Sequence, residues 1–299
     1  MPAPNYRGRF APSPTGPLHF GSLVAAVASF ADARSCGGEW LVRIEDVDEI
    51  RRRPDAEPLI LGSLQRFGMT WDGTPVRQSE RRRLYAYALE TLVKKGDAYR
   101  CNCSRKQVTE TSTRSGPEGP IYPGTCRIDP PAIGAAAAWR VAVPDAEITV
   151  LDRVCGPITQ NLRNALGDFV VKRIDGYTAY QLAVVVDDHE QGITHVVRGA
   201  DLLWSTPRQV WLQTQLGYAH PAYAHVPLVY ATDGSKLSKR DDAHPVDETH
   251  PVQTLSAAWR HLGQSSPSTA IKSVSEFWSW AVPRWHIERV PIDMDRLHD

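Results

Sequence analysis

The sequence predicts an α/β protein built on a parallel sheet. The apolar segments NYRGRFA and GEWLVRIED have the character of strands, and the stretch between them, residues 19–35, has the character of a helix. Two further stretches, residues 54–67 and 79–95, carry apolar side chains at helical spacing. Strands and helices alternating in this order pair in parallel through right-handed crossovers.

The chain divides into segments that differ in composition. Residues 1–98 and 131–242 are interpreted as the two halves of this domain, and residues 99–130, rich in Cys, Ser, Thr, Gly and Pro, as an insertion with little core of its own. In the second half, AAAAWRVAV and EITVLDRVCG are predicted strands, and GDFVVKRIDGYTAYQLA is a predicted hairpin that turns at Asp175 and Gly176. Residues 243–299 are a predicted short C-terminal region, helical at 252–262 and Trp-rich at 271–281.

Composition limits the class of protein. The chain has 299 residues, 42% of them hydrophobic, which fits a soluble globular protein. Its five Cys are too few for a disulfide framework and favour a reducing cytoplasm. No membrane span or signal peptide is expected. The formal net charge of +0 neither predicts nor excludes a nucleic-acid partner.

The segment RFAPSPTGPLHFGS, residues 9–22, joins the first strand to the first helix. Its Pro residues fix φ, and its Gly residues leave room for a ligand against the backbone. The helix that follows directs free N–H groups and the positive end of its dipole at that position. The segment therefore predicts a phosphate site, with an ordinary strand-to-helix turn as the alternative.

Ionisable residues follow several predicted strands. Arg9 ends the first strand and Glu45 and Asp46 end the second, so we expect them to face one crevice at the carboxyl edge of the sheet. Tyr180 and Arg198 are expected to reach the same crevice. Two Arg in one pocket indicate a substrate that carries carboxylates, although a structural ion-pair network is an alternative.

The predicted insertion contains CNCSRKQ…IYPGTCR. Cys101 and Cys103 lie two apart and Cys126 follows after a loop, a spacing that suits tetrahedral zinc. The fourth ligand is Tyr122, or else a His or a water from elsewhere. A small loop-rich segment gains folding free energy from a metal, so we expect one structural zinc per chain, with three buried free thiols as the alternative.

A cationic loop, DGSKLSKRDD, occupies residues 233–242. It carries Lys236, Ser238 and Lys239 beside a Gly, so it is suited to closing over a polyphosphate whose charge rises in a transition state.

These motifs together resemble a known family. SPTGPLHFGS and KLSKR resemble the two signature motifs of class I aminoacyl-tRNA synthetases, with Ser22 in place of the last His of the first motif. Three further segments, RIEDVD, VVRGADLL and the CxC…YPGTC insertion, extend this resemblance. With them, the chain resembles the glutamyl branch from about residue 6 to residue 242. The resemblance implies a Rossmann-like class I synthetase catalytic domain with a parallel sheet, a zinc-binding insertion and a short helical C-terminal part.

Residues 241–299 are too few for the helical anticodon-binding domain of a full glutamyl enzyme, so the resemblance is greatest to the shortened, glutamyl-queuosine members of the branch. It implies activation of L-glutamate with ATP and Mg²⁺ in the absence of tRNA. The glutamate then passes to the queuosine base at the wobble position of tRNA(Asp). Two alternatives stay open: a truncated glutamyl-tRNA synthetase that charges a tRNA 3′ end, and a small-molecule nucleotidyltransferase. A cytoplasmic monomer is expected.

The resemblance also assigns roles to residues. Arg9 is expected to pair with the side-chain carboxylate of glutamate, Glu45 with its α-amino group, and Arg198 with its α-carboxylate. His19 and Lys239 are the expected catalytic residues, acting on the ATP phosphates. The full expected sets are Arg9, Phe10, Ala11, Pro12, Ser13, Glu45, Tyr180 and Arg198 for glutamate, His19, Gly21, Lys236, Ser238 and Lys239 for ATP, and Cys101, Cys103, Tyr122 and Cys126 for zinc.

Overall fold

The structure, a computed structural model, describes residues 6–48, 52–230 and 245–292. The strands are β1 Arg7–Phe10, β2 Glu39–Ile44, β3 Val76–Arg77, β4 Ala98–Cys101, β5 Ser115–Gly116, β6 Gly119–Pro120, β7 Ala138–Val141, β8 Glu147–Asp152, β9 Gly156–Asn161, β10 Phe169–Lys172, β11 His195–Gly199 and β12 Ala222–Val226. The helices are α1 Phe20–Ser35, α2 Ala56–Arg66, α3 Arg82–Lys95, α4 Arg105–Thr111, α5 Thr125–Ile128, α6 Leu162–Ala165, α7 Tyr180–Glu190, α8 Thr206–Leu216, α9 Pro251–His261 and α10 Val274–Ala281.

The predicted parallel sheet is confirmed. Strands β1, β2 and β3 pair in parallel in that order, and so do β11, β12 and β8. The amide of Thr194 donates to the carbonyl of Arg7 at 3.0 Å, which places β11 beside β1. The spatial order is therefore β3-β2-β1-β11-β12-β8, and the direction of chain progression reverses between β1 and β11. In open α/β sheets a ligand crevice forms at this reversal, beyond the carboxyl ends of the strands.

Helix α1 and the C-terminal helices cover this sheet with one core. Helix α1 contributes the buried side chains of Leu23, Val27 and Phe30. They belong to one core with Trp40 of β2 and with aromatic side chains of the C-terminal region. The indole of Trp278 in α10 donates to the carbonyl of Phe67 at 2.7 Å. The described C-terminal residues thus share one core with α1, β2 and α2.

The predicted hairpin at residues 167–183 is wrong in its second arm. Strand β10 is followed by the expected turn at Asp175 and Gly176, but the return forms a single bridge, Lys172 to Thr178, before helix α7 begins. Residues 182–188 of α7 are all buried, including the β-branched run at 184–186. A helix that is buried on every side shows no amphipathic period, so the sequence of the return arm carries no helical pattern.

The predicted insertion begins within β4, the edge strand of a second, antiparallel sheet with the order β10-β7-β4. Its only buried cluster among the described residues is formed by Cys101, Tyr122 and Cys126. The prediction of little apolar core in this segment is therefore confirmed. Within the described ranges, no helix is both long enough and apolar enough to cross a membrane.

Candidate active site and metal centre

A cavity of about 300 Å³ opens at the carboxyl ends of β1, β2, β11 and β12. Ten of the residues singled out in the sequence line its wall: Arg9, Phe10, Ala11, Pro12, Ser13, His19, Gly21, Glu45, Tyr180 and Arg198. The segment from Arg9 to Leu18 lies on one side, and the ends of β11 and β12 lie on the other. Lys236, Ser238 and Lys239 lie outside the described residues.

A buried network of charges lies behind two residues of the cavity wall, Arg9 and Glu45. Arg9 Nε donates to Asp188 Oδ1 at 3.2 Å, and Arg43 Nη1 approaches the same carboxylate at 2.8 Å. Arg43 also lies 3.5 Å from Glu45 and 3.9 Å from Asp187. The expected alternative, a structural ion-pair network, is thus present, and it coexists with an Arg9 whose two terminal nitrogens have no hydrogen-bond partner among the described residues.

Glu45 has an environment unlike that of an ordinary surface carboxylate. Its side chain is 7% exposed, and burial raises its pKa to about 7 against the opposing pull of Arg43 and Arg9. The carboxyl therefore gains or loses its charge near neutral pH. It does so at the wall of the cavity. An ammonium group of a ligand would favour the charged form.

Arg198, at the end of β11, has hydrogen bonds on one edge of its guanidinium. Its Nε lies 3.0 Å from His225 Nε2, and its Nη2 donates to Thr206 Oγ1 at 2.9 Å. Nη1 is buried and has no partner. A buried donor without an acceptor costs free energy, so this nitrogen, at the wall of the cavity, is placed to receive an anionic ligand.

His19 begins helix α1. Its Nδ1 accepts from the amide of Ser22 at 3.3 Å, and its Nε2 lies 2.9 Å from the Ser22 hydroxyl. A Cβ at Gly21 would lie 3.2 Å from the imidazole, so the small residue lets the ring lie over the first turn. Gly21 and Ser22 of this first turn line the cavity beside His19, at the positive end of the helix dipole.

Asp46 does not face the cavity, contrary to expectation. It is buried and accepts from the amide and the hydroxyl of Ser79 at 2.8 and 2.7 Å. Adjacent residues leaving a strand point to opposite sides, so Glu45 and Asp46 cannot both reach the crevice. Sequence reasoning also missed Asp188, which lies in α7 beyond the end of the predicted hairpin.

The three cysteines of the insertion come together as predicted. Their sulfur atoms lie within 4.8 Å of one another, with Cys103 and Cys126 at 3.4 Å. The Tyr122 hydroxyl is 3.4 Å from the sulfur of Cys101 and 3.9 Å from that of Cys103. Four ligands at zinc bond lengths are separated by about 3.5–3.8 Å in a tetrahedron, so this donor set fits the geometry of the ion.

Arg140 lies beside the cysteine cluster. Its Nε lies 3.3 Å from the Cys101 sulfur, and its guanidinium covers the Tyr122 ring at 3.9 Å. Burial raises the pKa of the Cys101 thiol, but hydrogen bonds from Tyr122 and Arg140 outweigh it and hold the pKa below its ordinary value. A thiolate is the form that binds a metal, so these two contacts favour the ligand form of Cys101, whereas burial raises the pKa of the Cys103 thiol to about 11.

Comparison with known proteins places this fold and site in a family. The model for the catalytic domain of class I tRNA synthetases (E and Q) matches residues 5–255. The glutamyl-Q tRNA(Asp) synthetase of Thiobacillus denitrificans is 54% identical over 95% of this chain and 94% of the relative. The protein of the same name from Pseudomonas aeruginosa is 51% identical over 96% of each.

Solved structures agree with the sequence relatives. A glutamate tRNA ligase from Elizabethkingia meningosepticum, crystallised with its amino acid, matches with a TM-score of 0.81 at 28% identity, over 96% of this chain and 66% of the other. A glutamate-tRNA synthetase from Elizabethkingia anophelis matches with a TM-score of 0.82 at 27% identity, over 98% of this chain and 69% of the other. This chain thus spans about two thirds of each solved enzyme. It belongs to the class I aminoacyl-tRNA synthetases of the glutamyl and glutaminyl branch, and within that branch to the glutamyl-Q tRNA(Asp) synthetase family.

Proposed function

We propose that the protein activates L-glutamate with ATP, without tRNA, and transfers the glutamate to the queuosine base at the wobble position of tRNA(Asp). The observation that carries the proposal is the cavity. It presents a guanidinium, a carboxyl that titrates near neutrality and a second guanidinium with an unpaired nitrogen, next to a helix N-terminus. These groups are complementary to an amino acid with two carboxylates and to a phosphate chain.

In the proposed first step, the α-carboxylate oxygen of glutamate attacks the α-phosphorus of ATP. The bond from that phosphorus to the β-phosphate oxygen breaks, and pyrophosphate leaves. Arg9 holds the side-chain carboxylate of glutamate, Glu45 its ammonium group with Tyr180 beside it, and Arg198 its α-carboxylate. No side chain is needed as a nucleophile, so positioning and fixed charge supply the acceleration.

His19 and the first turn of α1 hold the ATP phosphates in this proposal, together with Lys236, Ser238 and Lys239 of the cationic loop. Lys239 neutralises charge on the departing pyrophosphate. Mg²⁺ arrives with ATP.

In the proposed second step, a hydroxyl of queuosine attacks the carbonyl carbon of the glutamyl-adenylate. An ester forms, AMP leaves, and the hydroxyl proton passes to the departing phosphate or to solvent. The cyclopentene ring of queuosine carries a cis-diol like that of a terminal ribose, so a site built for one vicinal diol can acylate another. The substrate partner is therefore tRNA(Asp) carrying queuosine.

We propose zinc as the metal of the insertion, held by Cys101, Cys103, Cys126 and Tyr122, at one ion per chain. When bound, the ion supplies a structural cross-link and no chemistry of the reaction. In the same proposal, residues 99–130 form the zinc-binding insertion between catalytic halves 1–98 and 131–242, and residues 243–299 form the C-terminal region.

A second candidate function is the charging of a tRNA 3′ end, because the two solved structures described above are glutamate–tRNA enzymes. Both candidates share the activation step and differ in the acceptor.

The activation step is tested by glutamate-dependent exchange of labelled pyrophosphate into ATP without RNA. We expect exchange with L-glutamate and much slower exchange with glutamine or aspartate, because only glutamate places two carboxylates at the separation of Arg9 and Arg198. Exchange that requires tRNA, or is equal for the three amino acids, would contradict the proposed activation.

A further inference from the structure

Arg198 is a buried cation without a carboxylate partner. Arg198 is 5% exposed, and within the described part of the chain no Asp or Glu forms an ion pair with it. Its Nε is instead directed at the imidazole of His225, which lies opposite it in the register of β11 and β12. A buried guanidinium is normally matched by an anion, so a neutral partner at this position requires a physical reason.

The imidazole is in turn fixed by Asp152. His225 Nδ1 lies 2.6 Å from Asp152 Oδ2, and both residues are almost fully buried. Burial, with a contribution from the Arg198 charge, lowers the pKa of His225 to about 4, so the ring is neutral at pH 7 and carries one proton. An ionised carboxylate can only accept, so the proton is on Nδ1, and Nε2 presents its lone pair to Arg198.

The other oxygen of Asp152 is held by the backbone. Asp152 Oδ1 accepts from the amides of Val154, Cys155 and His225 at 3.0, 2.9 and 3.2 Å. The carboxylate therefore cannot rotate, and its orientation determines the tautomer of the imidazole. Asp152, His225 and Arg198 lie at the ends of three neighbouring parallel strands, β8, β12 and β11.

We propose that Asp152 and His225 are positioning residues for substrate recognition: by fixing one imidazole tautomer, they orient Arg198 so that its unpaired nitrogen faces the α-carboxylate of glutamate. The inference rests on the proposed function for the identity of that ligand. A neutral acceptor holds the guanidinium without neutralising it, which leaves its charge for the substrate. A carboxylate in the place of His225 would compete with the substrate.

Asp152→Asn tests this mechanism, because three backbone amides hold one oxygen of the side chain. The retained carbonyl oxygen of Asn stays on these amides, so its NH₂ group faces His225 Nδ1 and forces the ring proton to Nε2. Two donors, His225 Nε2–H and Arg198 Nε–H, then face each other. The imidazole can donate to Thr206 Oγ1, 3.2 Å from Nε2, but Arg198 Nε–H has lost its acceptor and Arg198 must move. We expect the KM for glutamate to rise about tenfold or more, with the KM for ATP unchanged.

His225→Gln provides the matched control. A Gln side chain can offer its carbonyl oxygen near the position of Nε2, and this acceptor does not depend on Asp152. We expect the KM for glutamate of this single variant to stay within about threefold of wild type, and Asp152→Asn to add little in that background. Equal effects of Asp152→Asn in both backgrounds would overturn the proposal, because Asp152 would then act through the turn at Val154 and Cys155 alone.

A second measurement is independent of activity, and it uses the folded His225→Gln variant only to assign one signal. In ¹⁵N-histidine-labelled wild type, the signal absent from the spectrum of His225→Gln is that of His225. We expect it to report a neutral ring with the proton on Nδ1; a proton on Nε2, or a charged ring at pH 7, would overturn the proposal. Absence of glutamate-dependent exchange in wild type would instead contradict the proposed function. The ¹⁵N spectrum would still determine the tautomer of His225.

Discussion

Arg9 and Asp188 form a buried ion pair that joins the end of β1 to helix α7, with Nε and Oδ1 separated by 3.2 Å. Asp188 is shared with Arg43, which approaches it at 2.8 Å. The pair therefore orients Arg9 without consuming its two terminal nitrogens. Pre-orientation of this kind lowers the entropic cost of binding a carboxylate.

Arg9→Ala is expected to reduce kcat/KM for glutamate by on the order of 100-fold, because it removes the charge-assisted partner of a substrate carboxylate. The fold should survive, since Asp188 keeps its contact with Arg43. Exchange of pyrophosphate measures the first effect and thermal unfolding the second. Arg7→Ala, on the same strand, removes a largely exposed ion pair with Glu39 and should leave exchange almost unchanged.

The raised pKa of Glu45 predicts opposite pH dependences for glutamate binding and for the stability of the fold. Its pKa is raised to about 7, so protonation below pH 7 removes the charge that we assign to the glutamate ammonium group, and kcat/KM should fall as the pH drops through about 7. A raised carboxyl pKa in the folded state means that this group stabilises the fold most below its unfolded pKa. Its contribution is lost as the pH rises through about 7.

Glu45→Gln separates these two effects. The variant should be more stable than wild type at pH 8 and should lose that advantage near pH 5, while glutamate use falls at every pH. Denaturant unfolding at the two pH values gives the difference. A variant with the same pH dependence of stability as wild type would show that Glu45 does not titrate near neutrality.

His19→Asn tests the phosphate role of His19 apart from its role in capping α1. Asn is a strong N-cap, so its side chain should replace the contact from His19 Nδ1 to the Ser22 amide and keep the melting temperature close to that of wild type. The imidazole is lost, and exchange should slow by on the order of 100-fold. If exchange survives in the Asn variant, the His acts as a cap only.

Cys103→Ser is expected to lose the bound metal and thermal stability together, because metal binding contributes folding free energy to a small cluster. Elemental analysis should give one zinc per chain for wild type and for Cys36→Ser, which changes an exposed thiol outside the cluster. In Cys103→Ser, glutamate-dependent exchange of pyrophosphate should slow less than the transfer of glutamate to tRNA.

Tyr122→Phe decides the fourth ligand. Loss of zinc affinity is expected if the hydroxyl 3.4 Å from the Cys101 sulfur binds the ion. Unchanged affinity would exclude this assignment.

The sequence predicts the first half of the fold and the cysteine cluster well, because their signals are local. Strand β1, the turn to α1 and strand β2 follow one another, and Cys101 and Cys103 lie two apart. The arrangement of charge below the cavity was not predictable in this way. Asp188 and Asp152 find their partners in strands and helices distant in sequence, and α7 shows no amphipathic period because it is buried on every side. The tautomer of His225 is similarly a property of tertiary contacts.

The acceptor is the central claim, and one assay tests it most directly. tRNA(Asp) carrying queuosine is trimmed of its 3′-terminal adenosine, and its acceptance of labelled glutamate is compared with that of intact tRNA(Asp) that has guanosine at the wobble position. We predict that the trimmed, queuosine-containing tRNA accepts glutamate as an ester labile to mild alkali, and that the unmodified tRNA accepts none. Glutamate on the intact, unmodified tRNA and none on the trimmed one would contradict the account and identify a synthetase that charges the 3′ end.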